Sequence, residues 1–229
     1  MTIDWVGLDA DDTLWHSEGV FQDTQAWFCD VLEPFCDPDA NLVARLDAVE
    51  RRNIPLLGYG VKAFTLSMVE AAVEVTAGRV PATVLAELVE RGKQMLQHPV
   101  DLLDGVADVV RELAGRYQLA VITKGDLVHQ EHKLQRSGLL EHVQVVEIVN
   151  EKDEATYRHI LGRNRIPVER FVMVGNALRS DVLPVLAIGG RAVHIPYALT
   201  WAHEHVDHPG DVATLATIRD LPDWLRSQV

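Results

Sequence analysis

The stretch Gly7 to Leu14, GLDADDTL, follows directly on the apolar run Ile3 to Leu8 and sets Asp9, Asp11 and Thr13 two residues apart. Alternate residues of an extended chain point the same way, so a strand ending at Asp9 is expected to present two carboxylates together at its carboxyl rim. One such group can attack an electrophile while the other moves protons. Asp and Thr are also common wherever a strand runs into a loop, so the motif gains weight only from what accompanies it.

Beyond Asp101, short apolar runs alternate with helix-like segments. Tyr117 to Thr123, Val143 to Val149, Phe171 to Gly175 and Arg191 to Ile195 read as strands. This alternation predicts a parallel sheet covered on both faces, a doubly wound α/β core, in which ligands bind outside the carboxyl ends of the strands. The run Ile3 to Leu8 must join that sheet. The core is therefore expected over 1–15 and 101–229, interrupted by a helical domain at 16–100. Within the insertion, Phe21, Thr24, Phe28, Val31 and Phe35 recur at helical spacing, as do Leu42, Leu46 and Val49, then Phe64, Met68, Ala71 and Val75. A fourth stripe, Val84, Leu88 and Met95, follows Pro81. Ile54 to Gly60, IPLLGYG, is expected as a bend between the second and third helices.

Composition narrows the function classes. Lys plus Arg number 21 against 34 Asp plus Glu, a net charge of −13, and no basic run interrupts that acidity, which argues against nucleic acid as a partner. No apolar run reaches the roughly 20 residues of a membrane span, and no signal peptide precedes the first strand, so a cytoplasmic protein is expected. Cys29 and Cys36 fit reduced, packed thiols better than a disulfide or metal site.

Three later segments place polar residues at strand ends on the rim where Asp9 and Asp11 are expected. YQLAVITKGD ends in Thr123, Lys124, Gly125 and Asp126; VEIVNEKDEATY carries Lys152; FVMVGNALRSD carries Asn176, Ser180 and Asp181. With Asp9, Asp11 and Thr13 first, Thr123 second, Lys152 third and Gly175 to Asp181 fourth, the chain resembles the haloacid dehalogenase superfamily of phosphohydrolases over its whole length. TKGDLVHQEHKLQRSGL is similar to the helix after the second motif in the superfamily's phosphatases.

That resemblance implies a Rossmann-like core and a small helical cap that closes over the substrate. It implies an aspartyl phosphate formed by Asp9, with Asp11 as acid and then base, Thr123 on a phosphoryl oxygen, and Lys152 as a fixed cation. Mg²⁺ is the implied cofactor, held by Asp9, the Asp11 carbonyl, Asn176 and Asp181. A small phosphorylated substrate is expected on Thr123, Lys124, Gly125 and Lys152, with Tyr59 and Lys62 of the cap selecting it. The chain is expected as a monomer or homodimer.

Two positions depart from the superfamily's pattern. Asp12 stands where Gly is usual, with its side chain expected in solvent and of little effect. Asn176 stands where an acidic metal ligand is usual; its amide oxygen can ligate Mg²⁺ but brings no charge. Retention of Asp11 disfavours dehalogenation, because a halide leaves without a proton. A phosphonate hydrolase would need a cap lysine such as Lys62 or Lys93, and neither has a distinguishing context. The alternatives kept are a phosphosugar mutase and a catalytically weak ligand-binding or regulatory protein. His203, His205 and His208 form an H-x-H-x-x-H cluster in a loop-like segment, where zinc is disfavoured for want of a nearby cysteine. His129 and His132 are expected on a helix surface, and His16 either at the substrate or on the surface.

Overall fold

The computed structural model describes residues 2–199, 206, 210 and 212–228. It divides into two units, one running to Glu18 and resuming at Val100, the other Gly19–Pro99. In the first unit, β1 (Trp5–Leu8), β2 (Gln118–Lys124), β3 (Val145–Val149), β4 (Phe171–Gly175), β5 (Arg191–His194) and β6 (Ala213–Thr214) form one parallel sheet in the order β3-β2-β1-β4-β5-β6.

Alternation along the strands explains how both faces are covered. Val6 and Leu8, Leu119 and Val121, and Val172 and Val174 face one core with α5 (Val106–Ala114), Leu134 of α6 (Leu127–Arg136), and α9 (Leu221–Ser227). Their neighbours Ala120 and Ile122, Phe171 and Met173 face the other, with Tyr157, Ile160 and Leu161 of α7 (Glu154–Arg163) and Val185 of α8 (Leu183–Ala187). Burial on both sides makes a parallel strand read as a continuous apolar run. The sheet is α/β and doubly wound, as expected.

The order also fixes where a ligand can sit. From β1 the chain builds outward through β2 and β3 on one side, and from β4 through β5 and β6 on the other. The carboxyl ends of β1 and β4 therefore flank the topological switch point. Asp9 leaves β1 there, and Asn176 leaves β4.

In the second unit, α1 (Glu18–Leu32, beginning at the boundary), α2 (Leu42–Leu57), α3 (Val61–Val75) and α4 (Ala82–Gln97) surround Phe28, Leu32, Leu46, Val49, Phe64, Met68 and Leu88. Phe21 meets Phe64 edge-on, with ring centroids 5.2 Å apart. The expected bend Ile54 to Gly60 is shorter than read: α2 continues through Pro55 to Leu57 and stops at Gly58, whose φ is 74°. A proline in the last turn forfeits one hydrogen bond but leaves the rest of the helix intact. Gly58 and Gly60, both at positive φ, carry the turn into α3.

Gly7 of β1 belongs to the sheet face that holds Phe171, and a Cβ there would come within 2.5 Å of Phe171 Cζ and 3.0 Å of Met173 Sδ. A ring packed in the core has little freedom to yield. Gly7→Ala is therefore expected to destabilise the fold by about 1–3 kcal/mol, the usual cost of overpacking. Urea midpoints check it; an unchanged midpoint would mean that Phe171 has a second place to go.

Candidate active site

Asp9 is placed by the sheet and turned by the loop behind it. Its N–H donates to the Val174 carbonyl at 2.9 Å, which ties the end of β1 to β4. The N–H groups of Thr13 and Leu14 both return to the Ala10 carbonyl, at 3.2 and 2.7 Å. That curl brings the Thr13 hydroxyl to within 3.0 Å of Asp9 Oδ2. The Asn176 N–H donates to the same Thr13 oxygen at 3.1 Å, so the β1 and β4 loops are joined through one hydroxyl.

Lys152, just before α7, is buried, although lysine is among the residues least often found inside. Its Nζ lies 2.5 Å from Asp9 Oδ1 and 2.7 Å from Asp181 Oδ1. Burial works against its charge, but Asp181 and Asp9 outweigh burial and hold the ammonium above the usual lysine range. Asp181, almost wholly buried, also accepts from the Ala177 N–H at 3.0 Å. Gly175 makes room for it, since a Cβ there would overlap the Asp181 carboxyl. Two carboxylates thus share one ammonium. Burial and the Asp9 carboxylate push Asp181 upward against the pull of Lys152.

The inward-facing end of the Asn176 amide lies 3.1 Å from Asp9 Oδ2, 3.1 Å from Thr13 Oγ1 and 3.3 Å from the Asp11 carbonyl oxygen. With nitrogen inward, the amide donates to all three. With oxygen inward, it faces a carboxylate and a carbonyl that can only accept, an arrangement that a cation would relieve.

Asp11 departs from the simple strand geometry. Because β1 ends at Leu8, Asp11 is no longer in register with Asp9, and it pairs instead with Trp15. Its Oδ1 accepts from Trp15 Nε1 and Lys133 Nζ, both at 2.6 Å, and its Oδ2 from Gln130 Nε2 at 3.1 Å. About a third of the side chain stays open, at 33% exposure. Burial raises its carboxyl, but the Lys133 ammonium and the Trp15 N–H outweigh that and hold it below the usual carboxylate range.

Thr123, at the end of β2, is buried, and its hydroxyl accepts from Gln130 Nε2 at 2.7 Å. Lys124 Nζ reaches Ser180 Oγ at 2.8 Å and lies 3.5 Å from Glu151. Gly125 follows with a φ of 137°. The core residues named from sequence therefore gather around the ends of β1, β2 and β4, while Tyr59 and Lys62 belong to the helical unit. Gln130, Lys133 and Trp15 were not singled out from sequence; only their place in the helix after Thr123, or four residues after Asp11, pointed their way.

Two expectations are corrected. Asp12 is buried, not solvated: at a φ of 62° its carboxylate accepts from the N–H groups of Ser17 at 2.8 Å and Glu18 at 3.0 Å, at the start of α1. Burial pushes its carboxyl up to about 7 against those bonds. His129 is likewise buried, whereas His132 is exposed. His16 Nδ1 lies 2.6 Å from Tyr197 Oη. His203, His205 and His208 lie outside the described residues. Among the described residues no three His, Cys, Asp or Glu side chains cluster in a metal-holding group, and no helix is long and apolar enough to cross a membrane.

The family model for haloacid dehalogenase-like hydrolase matches residues 3–189, and the chain belongs to that family. Its structure is similar to a haloacid dehalogenase-like hydrolase from Xanthomonas campestris, at 43% identity and a TM-score of 0.87, covering 99% of this chain and 91% of that one. A 2-haloacid dehalogenase from Pseudomonas syringae shares the fold at 22% identity and a TM-score of 0.68, with both chains covered in full. So does a magnesium-bound hydrolase of the same superfamily from Bacillus subtilis, at 16% identity and a TM-score of 0.67, covering 98% of this chain and 99% of that one. A search of curated proteins gave no match.

Burial, with Lys133 adding to it, lowers His129 from 6.5 to about 4. The unfolded chain then takes up a proton that the folded one refuses, so stability is lost as pH falls from 6.5 toward 4. His129→Leu is expected to flatten this decline. Urea midpoints at several pH values across that window compare the two; parallel curves would show that His129 does not titrate on unfolding.

Proposed function

We propose that the protein is a Mg²⁺-dependent phosphatase acting on a small phosphorylated metabolite through an aspartyl phosphate. The observation that carries it is the buried Lys152 ammonium against Asp9, in a chain that also holds Thr123 buried at the end of β2 and retains Asp11. Phosphoryl transfer asks for an in-line nucleophile, positive charge near the equatorial oxygens and a proton for the leaving oxygen.

An Asp9 carboxylate oxygen attacks phosphorus, the ester P–O bond breaks, and the leaving oxygen takes a proton from Asp11. A water then attacks the aspartyl phosphate while Asp11 receives its proton, releasing orthophosphate and Asp9. In the conformation described, Asp11 is held ionised by Lys133. To act as the acid it must part from that lysine and take up a proton. Lys152 keeps Asp9 in place, and Thr123, Lys124 and Gly125 receive the phosphoryl oxygens. A dehalogenase, the activity named for the Pseudomonas syringae protein of this fold, expels halide without a proton and has no use for Asp11 as an acid.

The residues present fit a magnesium ion. The inward end of the Asn176 amide stands 3.1 Å from Asp9 Oδ2 and 3.3 Å from the Asp11 carbonyl oxygen, close to the roughly 3 Å between neighbouring oxygens of an octahedron with 2.0–2.1 Å bonds. Two carboxylates on one ammonium also leave a net negative charge for a cation to offset. Asp9, the Asp11 carbonyl and Asn176 would hold it, with Asp181 beyond Lys152. Bound there, it would lower the repulsion between Asp9 and an anionic substrate.

Asp9→Asn is expected to remove turnover, since an amide is a poor nucleophile. A screen of phosphorylated metabolites with and without Mg²⁺ measures it; Mg²⁺-dependent hydrolysis unchanged in the variant would take Asp9 out of its role. Isomerised phosphosugars among the products would favour a mutase, and binding without turnover a regulatory protein. Variants of Tyr59 and Lys62 in the same screen test whether the helical unit ranks substrates.

Asn176→Asp adds a charge to the proposed ligand set and is expected to lower the half-activating Mg²⁺ concentration several-fold. Activity titrated against Mg²⁺ gives that midpoint for both forms. Identical midpoints would place residue 176 outside the metal's ligands.

A further inference from the structure

We infer that Gln130 is a positioning residue for phosphate: its buried amide dictates which way the Thr123 hydroxyl gives its proton. The inference rests on the phosphatase reading above and adds a residue to it. Gln130 lies one turn into α6, a helix capped by Asp126, whose carboxylate accepts from the His129 N–H at 3.0 Å. The side chain is buried. Its route to the site runs past Gly125, where a Cβ would stand 3.2 Å from Gln130 Cγ and 3.4 Å from Cδ. Any larger residue at 125 would crowd that path.

The identity of the inward atom follows from its neighbours. It lies 2.7 Å from Thr123 Oγ1, 3.1 Å from Asp11 Oδ2 and 3.2 Å from the Lys124 carbonyl oxygen. A carbonyl and an ionised carboxylate only accept, so the inward atom is the nitrogen and not the oxygen. The shortest of the three contacts is to Thr123. Its oxygen therefore accepts, and its one proton is turned elsewhere.

Among the described residues that proton meets only the Lys124 carbonyl, at 3.4 Å, too long for a strong O–H bond. A hydroxyl left free could turn either way and accept as readily as donate. With one lone pair taken by Gln130, Thr123 is set as a donor, the role that a phosphoryl oxygen requires. Gln130 also touches Asp11, so one amide spans the phosphate-binding hydroxyl and the proton-carrying carboxylate.

A group that orders phosphate binding before and during the reaction alike should act on KM more than on kcat. The test uses the full chain with saturating Mg²⁺, p-nitrophenyl phosphate as substrate and inorganic phosphate as inhibitor. Gln130→Leu is expected to raise both KM and the phosphate inhibition constant about tenfold, equivalent to about 1.4 kcal/mol, with kcat changed less than about threefold. Gln130→Glu keeps the shape but would take the Thr123 proton, and it is expected to weaken phosphate more than Leu does. In a Thr123→Val background, Gln130→Leu should add nothing, because the group it positions is gone.

Gln130→Met, of similar length, replaces the Leu variant if the latter fails to fold. Unchanged KM and phosphate inhibition in these variants, with an active parent, would overturn the inference and leave the phosphatase reading standing. So would effects of the two sites that simply multiply. A parent chain that neither hydrolyses the aryl phosphate nor binds phosphate would overturn both.

Discussion

A single ammonium buried between two carboxylates is the interaction on which the rest of the site depends. Lys152 bonds to Asp9 and Asp181 at once, and neither aspartate has a comparable cation elsewhere among the described residues. Taking such a pair out of water costs several kcal/mol per ion, recovered only when geometry and additional hydrogen bonds are good. The additional bonds are present: Thr13 on Asp9, and the Ala177 N–H on Asp181. Stability alone is weak grounds for such a cluster, since apolar side chains of equal volume would often hold a core as well. A fixed positive charge beside a carboxylate has a use when an anion must approach it, and this chain's overall charge of −13 otherwise opposes one.

The sheet makes that geometry inexpensive to hold. Parallel strands β1 and β4 run side by side from Trp5 opposite Phe171 to Leu8 opposite Val174, so Asp9 and Gly175 emerge at the same level. Thr123 emerges beside them, its strand position fixed by Ile148 of β3. Asp9 and Asn176 therefore each follow a buried apolar strand by one residue, and Thr123 is the last residue but one of its strand. Little is left for the loops to decide except rotation, and the Ala10 carbonyl and the missing Cβ of Gly175 settle that for Thr13 and Asp181.

This division between strands and loops explains what could be read from sequence. Strands buried on both faces leave long apolar runs, so β2 to β5 were legible; β6, with two residues, leaves no pattern. Asp9, Thr123, Lys152 and Asn176 were legible because each stands at or within three residues of the end of such a run, and Asp181 because it follows in the same segment as Asn176. Asp11 was legible as part of the first motif but its partners were not, because β1 ends at Leu8 and the loop beyond it sets the Asp11 carboxylate against Trp15, Lys133 and Gln130. The inward face of α6 was missed for a different reason. Gln130, Lys133 and Leu134 lie on one side of that helix, and periodicity methods look for apolar residues there. Two polar side chains facing inward erase the signal. Asp12 hid similarly: a positive φ and a capping role depend on the loop's path, which composition does not encode.

Asn176 shows how the choice of one atom pair can suit two conditions. An aspartate at this position would set a second carboxylate about 3 Å from Asp9 Oδ2, a repulsion tolerable only with a cation between them. The amide has an alternative. Without a cation it can turn its nitrogen inward and donate to Asp9, Thr13 and the Asp11 carbonyl; with one it can turn its oxygen inward as a ligand. Rotation about a terminal amide torsion moves no backbone and breaks no packing. The neutral side chain therefore lets the loops of β1 and β4 stay joined in either condition, and the consequence is a site whose shape does not rely on metal even if its chemistry does.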